Sequence, residues 1–320
     1  MNLLDVQDLR VTLQTSVGPA DALRGVSFSL ARGGSLGLIG ESGCGKSITA
    51  LALMGLLPDG ARVSGSIRLN GQELTALDET AMCQLRGRRI GMVFQEPMTA
   101  LNPLHTVGDQ IAEPLRLHLG LSRSAARAEA LRLLQRVQLP QAAQRLSAYP
   151  HQLSGGQRQR VVIAIALACG PELLIADEPT TALDVTIQRE VLELIAELVR
   201  EDGMGLLLIS HNLGVMADTV ERLLVMYGGT VVESGPTAAV FQRLAHPYTR
   251  GLFAARPQLG LRRGTRLSTI PGRVPALADM PVGCPFADRC ERVIDACRAA
   301  PPAAVAVGPM HEARCLRVWP

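Results

Sequence analysis

The chain is poor in three things, and each absence excludes something. It holds a single lysine, Lys46, against 31 arginines in 320 residues. Aromatic residues make up 3% of it, too little material for the stacking platforms that bind single-stranded nucleic acids. It has no long apolar run. The longest stretch, Val161 to Ala176, is broken by Gly170-Pro171-Glu172 and is too short to span a bilayer. No charged-then-apolar export signal opens the sequence, so a cytoplasmic protein is expected, with any membrane role exerted through partners. Seven cysteines in a reducing compartment point to ligands or core residues rather than disulfides. Net charge is +3 with both signs interspersed. The clusters Arg86 to Arg89 and Arg262-Arg263 therefore read as solvated faces rather than a nucleic-acid groove. Hydrophobic residues at 47% suffice for a large core and exclude a disordered scaffold.

The lone lysine marks a position where the planar guanidinium fork cannot replace a compact ammonium. It lies in Gly40-Glu41-Ser42-Gly43-Cys44-Gly45-Lys46-Ser47, the spacing G-x-x-x-x-G-K-[ST]. Consecutive N–H groups of such a loop wrap phosphates, the lysine bridges the β and γ groups, and the serine hydroxyl meets Mg²⁺. Ser35 to Ile39 reads as a buried strand before the loop. Ile48 to Leu57 reads as the helix after it, its N-terminus aimed at the anion. The competing reading is a chance glycine-rich turn, which that strand and helix disfavour.

Strand signals at 3–13, 25–30 and 65–69 suggest an antiparallel layer. Arg89 to Phe94 is a further strand, ending at Gln95-Glu96-Pro97. From 106 to 150 the period is helical. A buried helix is expected over 158–169, then strand Leu173 to Asp177, helix 185–200, strand 205–210 and a hairpin about Gly228-Gly229. This alternation predicts an α/β fold with a parallel sheet and an inserted helical subdomain, about 97–165. After residue 240 the texture turns to Pro, Gly, Arg and Cys, marking a separate tail.

Five further features follow in order. Leu173 to Ala176 ends in Asp177-Glu178, where Asp177 suits Mg²⁺ coordination and Glu178 could orient and deprotonate a water. Alone, such a pair after a strand is more often a helix-capping turn. Leu153-Ser154-Gly155-Gly156-Gln157 opens a long helix and makes an exposed anion site, or else an ordinary serine-capped turn. Gln95 could sense a metal and an attacking water, or be a surface amide. His211 follows a strand and could contact a γ-phosphate, or be a packed structural group. Ala182-Leu183-Asp184 would otherwise be a plain loop.

Taken together, in this order, these motifs resemble the ATPase subunit of an ATP-binding cassette transporter over residues 1 to about 235. The resemblance implies a P-loop NTPase cassette and an ATPase, with Gly40 to Ile48 on ATP and Ser47, Gln95 and Asp177 on Mg²⁺. It assigns Glu178 as the catalytic carboxylate, Gln95 and His211 as its supporting residues, and Leu153 to Gln157 as the signature facing a partner's ATP. Asp184 falls in the D-loop, which lies between paired cassettes. The family usually stacks adenine on an aromatic between the first two strands. Thr12 to Leu23 has none, so Val17 or a neighbour is expected to pack on the base instead.

His246-Pro247-Tyr248-Thr249-Arg250, Ile270-Pro271-Gly272-Arg273-Val274-Pro275 and Gly283-Cys284-Pro285-Phe286 resemble the C-terminal extension of peptide/nickel-type importer ATPases. The resemblance implies domains at 1–240 and 241–320 and uptake of oligopeptides, dipeptides or related small solutes. It implies two membrane permease subunits, a second cassette ATPase in a heterodimer and an extracytoplasmic solute-binding protein. The protein would sit peripherally at the cytoplasmic face of the membrane and bind no nucleic acid. Cys284, Cys290, Cys297 and Cys315 fall here, spaced C-x5-C-x6-C-x17-C, unlike common zinc sites. Soft thiolates suit iron–sulfur or zinc. Some members of the branch carry such a cluster, which favours [4Fe–4S] over zinc or free thiols. Cys44, Cys83 and Cys169 are isolated. The rival class is a soluble cassette ATPase acting on ribosomes or DNA. A single cassette without a long coiled-coil insertion before the signature disfavours it.

Overall fold

Runs of aliphatic residues too short for helices, each followed by a helical period, set the architecture. The computed structural model describes residues 2–95, 100–181, 183–255 and 269–319. Glu96, Pro97, Ala182, Arg262 and Arg263 lie outside the described residues. Two compact units interleave along the chain: Met1–Leu4, Leu30–Ser35 and Leu69–Ile209 form one, Asp5–Ser29, Leu36–Arg68 and Ser210–Pro320 the other.

In the first unit the strands Ile90–Val93, Leu173–Asp177 and Gly205–Ile209 run parallel, with Met92 opposite Ile175 and Ile175 opposite Leu207. Every residue of these strands is buried, as a parallel sheet covered on both faces requires. The segment expected to be helical forms Val107–Leu119 and Arg123–Arg136, capped by the Thr106 and Ser122 hydroxyls. Ala126, Ala130, Leu133 and Leu134 make the buried stripe of the second helix. Gly155–Leu167 then packs against both, and Val185–Asp202 ends at Gly203 in the left-handed conformation. In the cluster Arg86 to Arg89, Arg88 is exposed, while Arg86 and Arg89 are part-buried and paired at the surface. Arg86 pairs with Glu79, and Arg89 joins Arg32 and Asn70 on the Glu172 carboxylate.

Most of Asn2–Thr15, Gly18–Ala31 and Arg62–Leu69 falls in the second unit, and in their sheet Asn2–Thr15 lies between the other two. Ser35–Ile39 pairs parallel with Arg222–Tyr227, Leu38 opposite Leu224. Arg222–Tyr227 turns at Gly228-Gly229 into the antiparallel strand Thr230–Pro236. The tail is less separate than its composition suggests. His311–Ala313 pairs with Thr230–Pro236, Ala313 opposite Glu233, and Val305–Gly308 pairs with it in turn. The Glu233 carboxylate, fully buried, accepts the N–H groups of Ala245 at 2.9 Å and His246 at 2.8 Å and lies 2.8 Å from His311 Nε2. Such a carboxylate is stable in the interior because each oxygen is partnered.

Candidate ATP site

Strand Ser35–Ile39 delivers the chain to Gly40, whose φ of +155° disfavours any side chain. A Cβ there would stand 2.3 Å from the Met226 carbonyl oxygen, so the loop can turn at Gly40 only as glycine. Gly45, φ +105°, closes the loop and starts helix Lys46–Met54 with no side-chain cap. The amides of its first turn therefore remain for an anion. Lys46 is 6% exposed, and its ammonium donates to the carbonyls of Gly40 at 2.8 Å and Glu41 at 3.1 Å. The loop thus curls around a point charge, which a guanidinium would overfill. Ser47 and Ile48 follow in that first turn, part-buried. Burial raises the thiol of Cys44, whose carbonyl accepts the Gly229 N–H at 3.1 Å. Ser42 and Gly43 are exposed at the loop's crest.

The carboxylates lie in the first unit. Asp177 ends its strand 5% exposed. Glu178 follows with φ +46°, a left-handed backbone uncommon for a side chain of this kind. Its N–H donates to the Ile209 carbonyl at 2.9 Å. Its Oε2 accepts from Gln95 Nε2 and Thr181 Oγ1, each at 3.1 Å. The structure therefore joins two residues singled out 83 positions apart and adds Thr181, which no motif flagged.

Ser154 caps the helix Gly155–Leu167 through a reciprocal box. Its hydroxyl accepts the Gln157 N–H at 3.4 Å and its own N–H donates to Gln157 Oε1 at 3.1 Å. Leu153 is buried behind it, with Ser154 exposed. A Cβ on Gly156 would approach Ile187 to 2.9 Å, and one on Gly155 would meet Leu183 at 3.3 Å. The glycines let the signature and the segment around exposed Asp184 pack closely. His211, in the second unit, is exposed beside Asn212, which caps the next helix. Val17 is 78% exposed at the turn between the first two strands.

The description "ABC transporter" matches residues 23–181, and "Oligopeptide/dipeptide transporter, C-terminal region" matches 232–297. A provisionally named peptide import ATP-binding protein of Brucella melitensis is 51% identical, over 98% of this chain and 97% of that protein. The oligopeptide transport ATP-binding protein OppD of Salmonella typhimurium is 48% identical, over 94% of this chain and 89% of its own. This chain belongs to the ATP-binding cassette transporter ATPases. A solved dimeric cassette, MJ0796 in a post-hydrolysis state with ADP and Pi, shares the fold. Its TM-score is 0.66 at 28% identity, covering 73% of this chain and 98% of that one.

As a cassette ATPase the protein has the expected α/β fold and hydrolyses ATP. Among the described residues no helix is long and apolar enough to cross a membrane. In the cassette's C-terminal segment Cys284, Cys290, Cys297 and Cys315 line one pocket, with His246 and Phe286. Burial raises the Cys290 and Cys315 thiols and pushes Cys284 up to about 11. The Arg317 N–H donates to Cys315 Sγ at 3.3 Å. The thiols converge, yet among the described residues no group of three or more potential ligands is already set to hold a metal ion. Burial also pulls His246 down to about 3, so it stays neutral and its Nδ1 accepts the Tyr248 N–H at 3.1 Å.

Two contacts on the loop carry no local sequence signal. The Arg289 guanidinium grips the Glu41 carboxylate, and the Tyr248 hydroxyl accepts the Glu41 N–H at 2.7 Å. Tyr248 at least lies in a motif already singled out. Arg289 is one arginine among many.

Proposed function

We propose that this cassette energises a membrane importer of oligopeptides, dipeptides or related small solutes. ATP lies on the Gly40 to Ile48 loop with Lys46 on its β and γ phosphates. Glu178 orients and deprotonates the attacking water, and Gln95 and His211 support it. The match of residues 232–297 to the oligopeptide/dipeptide transporter C-terminal region supports the import, and the observation that carries the hydrolysis is Glu178 itself. It stands at a strand end in a strained backbone, beside buried Asp177 and held by Gln95 and Thr181. Mg²⁺ would be held by Ser47, Gln95 and Asp177, where it would neutralise phosphate charge. Leu153 to Gln157 and Asp184 serve the ATP of a second cassette in a heterodimer.

Residues 1–240 make the nucleotide-binding domain, with its helical subdomain at about 97–165, and 241–320 the importer-type extension. Two permease subunits and an extracytoplasmic binding protein complete the machine, with this chain peripheral at the cytoplasmic face and without nucleic acid. The four cysteines would hold a [4Fe–4S] cluster that pins the C-terminal segment. Their convergence on one pocket supports this, and zinc is the lesser alternative.

Gentle solubilisation with ATP, followed by identification of what co-purifies, tests the reading. Two permease subunits, a second cassette and a binding protein are expected. A soluble particle bearing ribosomal proteins or DNA would overturn it. Iron and acid-labile sulfide in anaerobically purified protein are expected, and their absence would remove the cluster. Glu178→Gln should lower turnover by about 10²–10⁴-fold while ATP still binds. Unchanged turnover would refute its role.

A further inference from the structure

The phosphate loop is held from outside by a segment that has no part in its motif. Glu41, the loop's second residue, has its three polar functions engaged. Its carbonyl takes the Lys46 ammonium at 3.1 Å, and its N–H donates to the Tyr248 hydroxyl at 2.7 Å. Its carboxylate takes both terminal nitrogens of Arg289, Nη1 at 2.6 Å and Nη2 at 3.0 Å. One residue therefore connects the phosphate-binding lysine to the C-terminal segment.

Arg289 is itself immobilised. Its side chain is 5% exposed. Nε donates to the Pro271 carbonyl at 2.8 Å, Nη2 also to the Ile270 carbonyl at 3.3 Å, and Nη1 to the Tyr227 hydroxyl at 3.3 Å. The guanidinium lies 5.7 Å from the Tyr227 ring centroid and 5.9 Å from that of Phe286. Burial opposes its charge, but the hydrogen bonds to Glu41 and Tyr227 hold its pKa above the ordinary arginine value. Tyr248 is equally fixed, fully buried with its ring 4.6 Å from that of Tyr227. A preorganised fork that meets a carboxylate bidentately sets direction as well as distance, which a lysine cannot do. Both anchors lie more than 200 positions beyond Glu41 in sequence.

We propose that Arg289 and Tyr248 are positioning residues for ATP, fixing the Gly40–Ser42 arm through Glu41 so that the loop and Lys46 are preset for a triphosphate. The proposal rests on the phosphate-loop reading. It predicts that losing the grip weakens nucleotide binding while leaving the chemistry at Glu178 intact, a rise in KM with kcat kept. It also predicts that Arg289 and Glu41 act as one unit.

The test uses the full-length chain in its purified transporter complex. ATP hydrolysis and binding of a fluorescent ATP analogue are measured for Arg289→Gln, Glu41→Gln, the double variant and Arg289→Lys. The single changes should raise KM and Kd about tenfold or more, with kcat within twofold. The double variant should be no worse than either single one, and lysine should fail to rescue. Tyr248→Phe keeps the ring packing and removes the hydroxyl, so it tests the second anchor should Arg289→Gln fold poorly. A severalfold rise in Kd at unchanged melting temperature is expected. Unchanged Kd in Arg289→Gln and Tyr248→Phe, additive effects of the Arg289 and Glu41 changes, or full rescue by lysine would each overturn the proposal. Lys46→Ala separates the two levels. If it retains nucleotide affinity, the phosphate-loop reading fails. If it loses affinity while the Arg289 and Tyr248 variants keep theirs, only the positioning role fails.

Discussion

The phosphate loop and the C-terminal segment that grips it are built from opposite materials. Between Gly40 and Gly45 the working parts are backbone: glycines at positive φ, carbonyls turned inward to Lys46 and a helix start left open. Beyond residue 240 the working parts are side chains. Five of the nine aromatics and four of the seven cysteines fall there. Tyr248 and Phe286 pack against Tyr227 at 4.6 and 5.2 Å between ring centroids, and Arg289 and His311 each reach a carboxylate. A backbone site gains its fit from conformations that other residues cannot adopt, so it must be held by something stiff. Aromatic and ion-paired packing supplies that stiffness, because each group has one low-energy arrangement.

The sharpest way to break the side-chain half is Glu233→Ala. It strands His311 and the N–H groups of Ala245 and His246, and should cost about 3–5 kcal/mol. A large fall in melting temperature checks this, and a fall below a few degrees would mean the buried cluster is not holding the segment. The backbone half breaks at Gly40→Ala, which forces a Cβ against the Met226 carbonyl at a φ alanine disfavours. A loss of about 1–3 kcal/mol, with nucleotide affinity falling further than stability explains, is the expected outcome. Chemical denaturation and analogue binding on one preparation read both.

Thiol chemistry sharpens the contrast without a mutation. In reduced, metal-free protein Cys284 stays a protonated thiol below its raised pKa of about 11. Its alkylation at pH 8 should be slow and should rise steeply as pH approaches 11, with exposed Cys83 reacting first. Mass spectrometry of alkylated peptides over a pH series decides. The smallest effect belongs to neither region. Arg189→Ala removes an exposed pair with Glu193 at 2.7 Å and should change stability by about 0.5 kcal/mol or less.

The same contrast explains what could be read in advance. Phosphate and carboxylate chemistry dictates residue types at short spacing, so Gly40 to Ser47, Leu153 to Gln157 and Asp177-Glu178 were legible, as were the buried strands between them. The helical stretch from 106 was legible by period. Thr181 was not, because a threonine three residues after a glutamate has no signature until a turn brings them together. Nor was the attachment of the tail. Strands Val305–Gly308 and His311–Ala313 are too short to show a period, and the strand that His311–Ala313 joins lies some 80 residues away. Arg289 and Glu41, 248 positions apart, could be joined only by the folded chain.

The solitary lysine has a practical consequence. Side-chain amine chemistry on this chain has one address, and a lysine-specific protease has one bond to cut, after Lys46. Because that side chain is 6% exposed and tied to two carbonyls, cleavage requires the loop to open. The rate of appearance of a single pair of fragments, split between residues 46 and 47, would therefore clock the opening of the nucleotide site directly, with no label and no mutation.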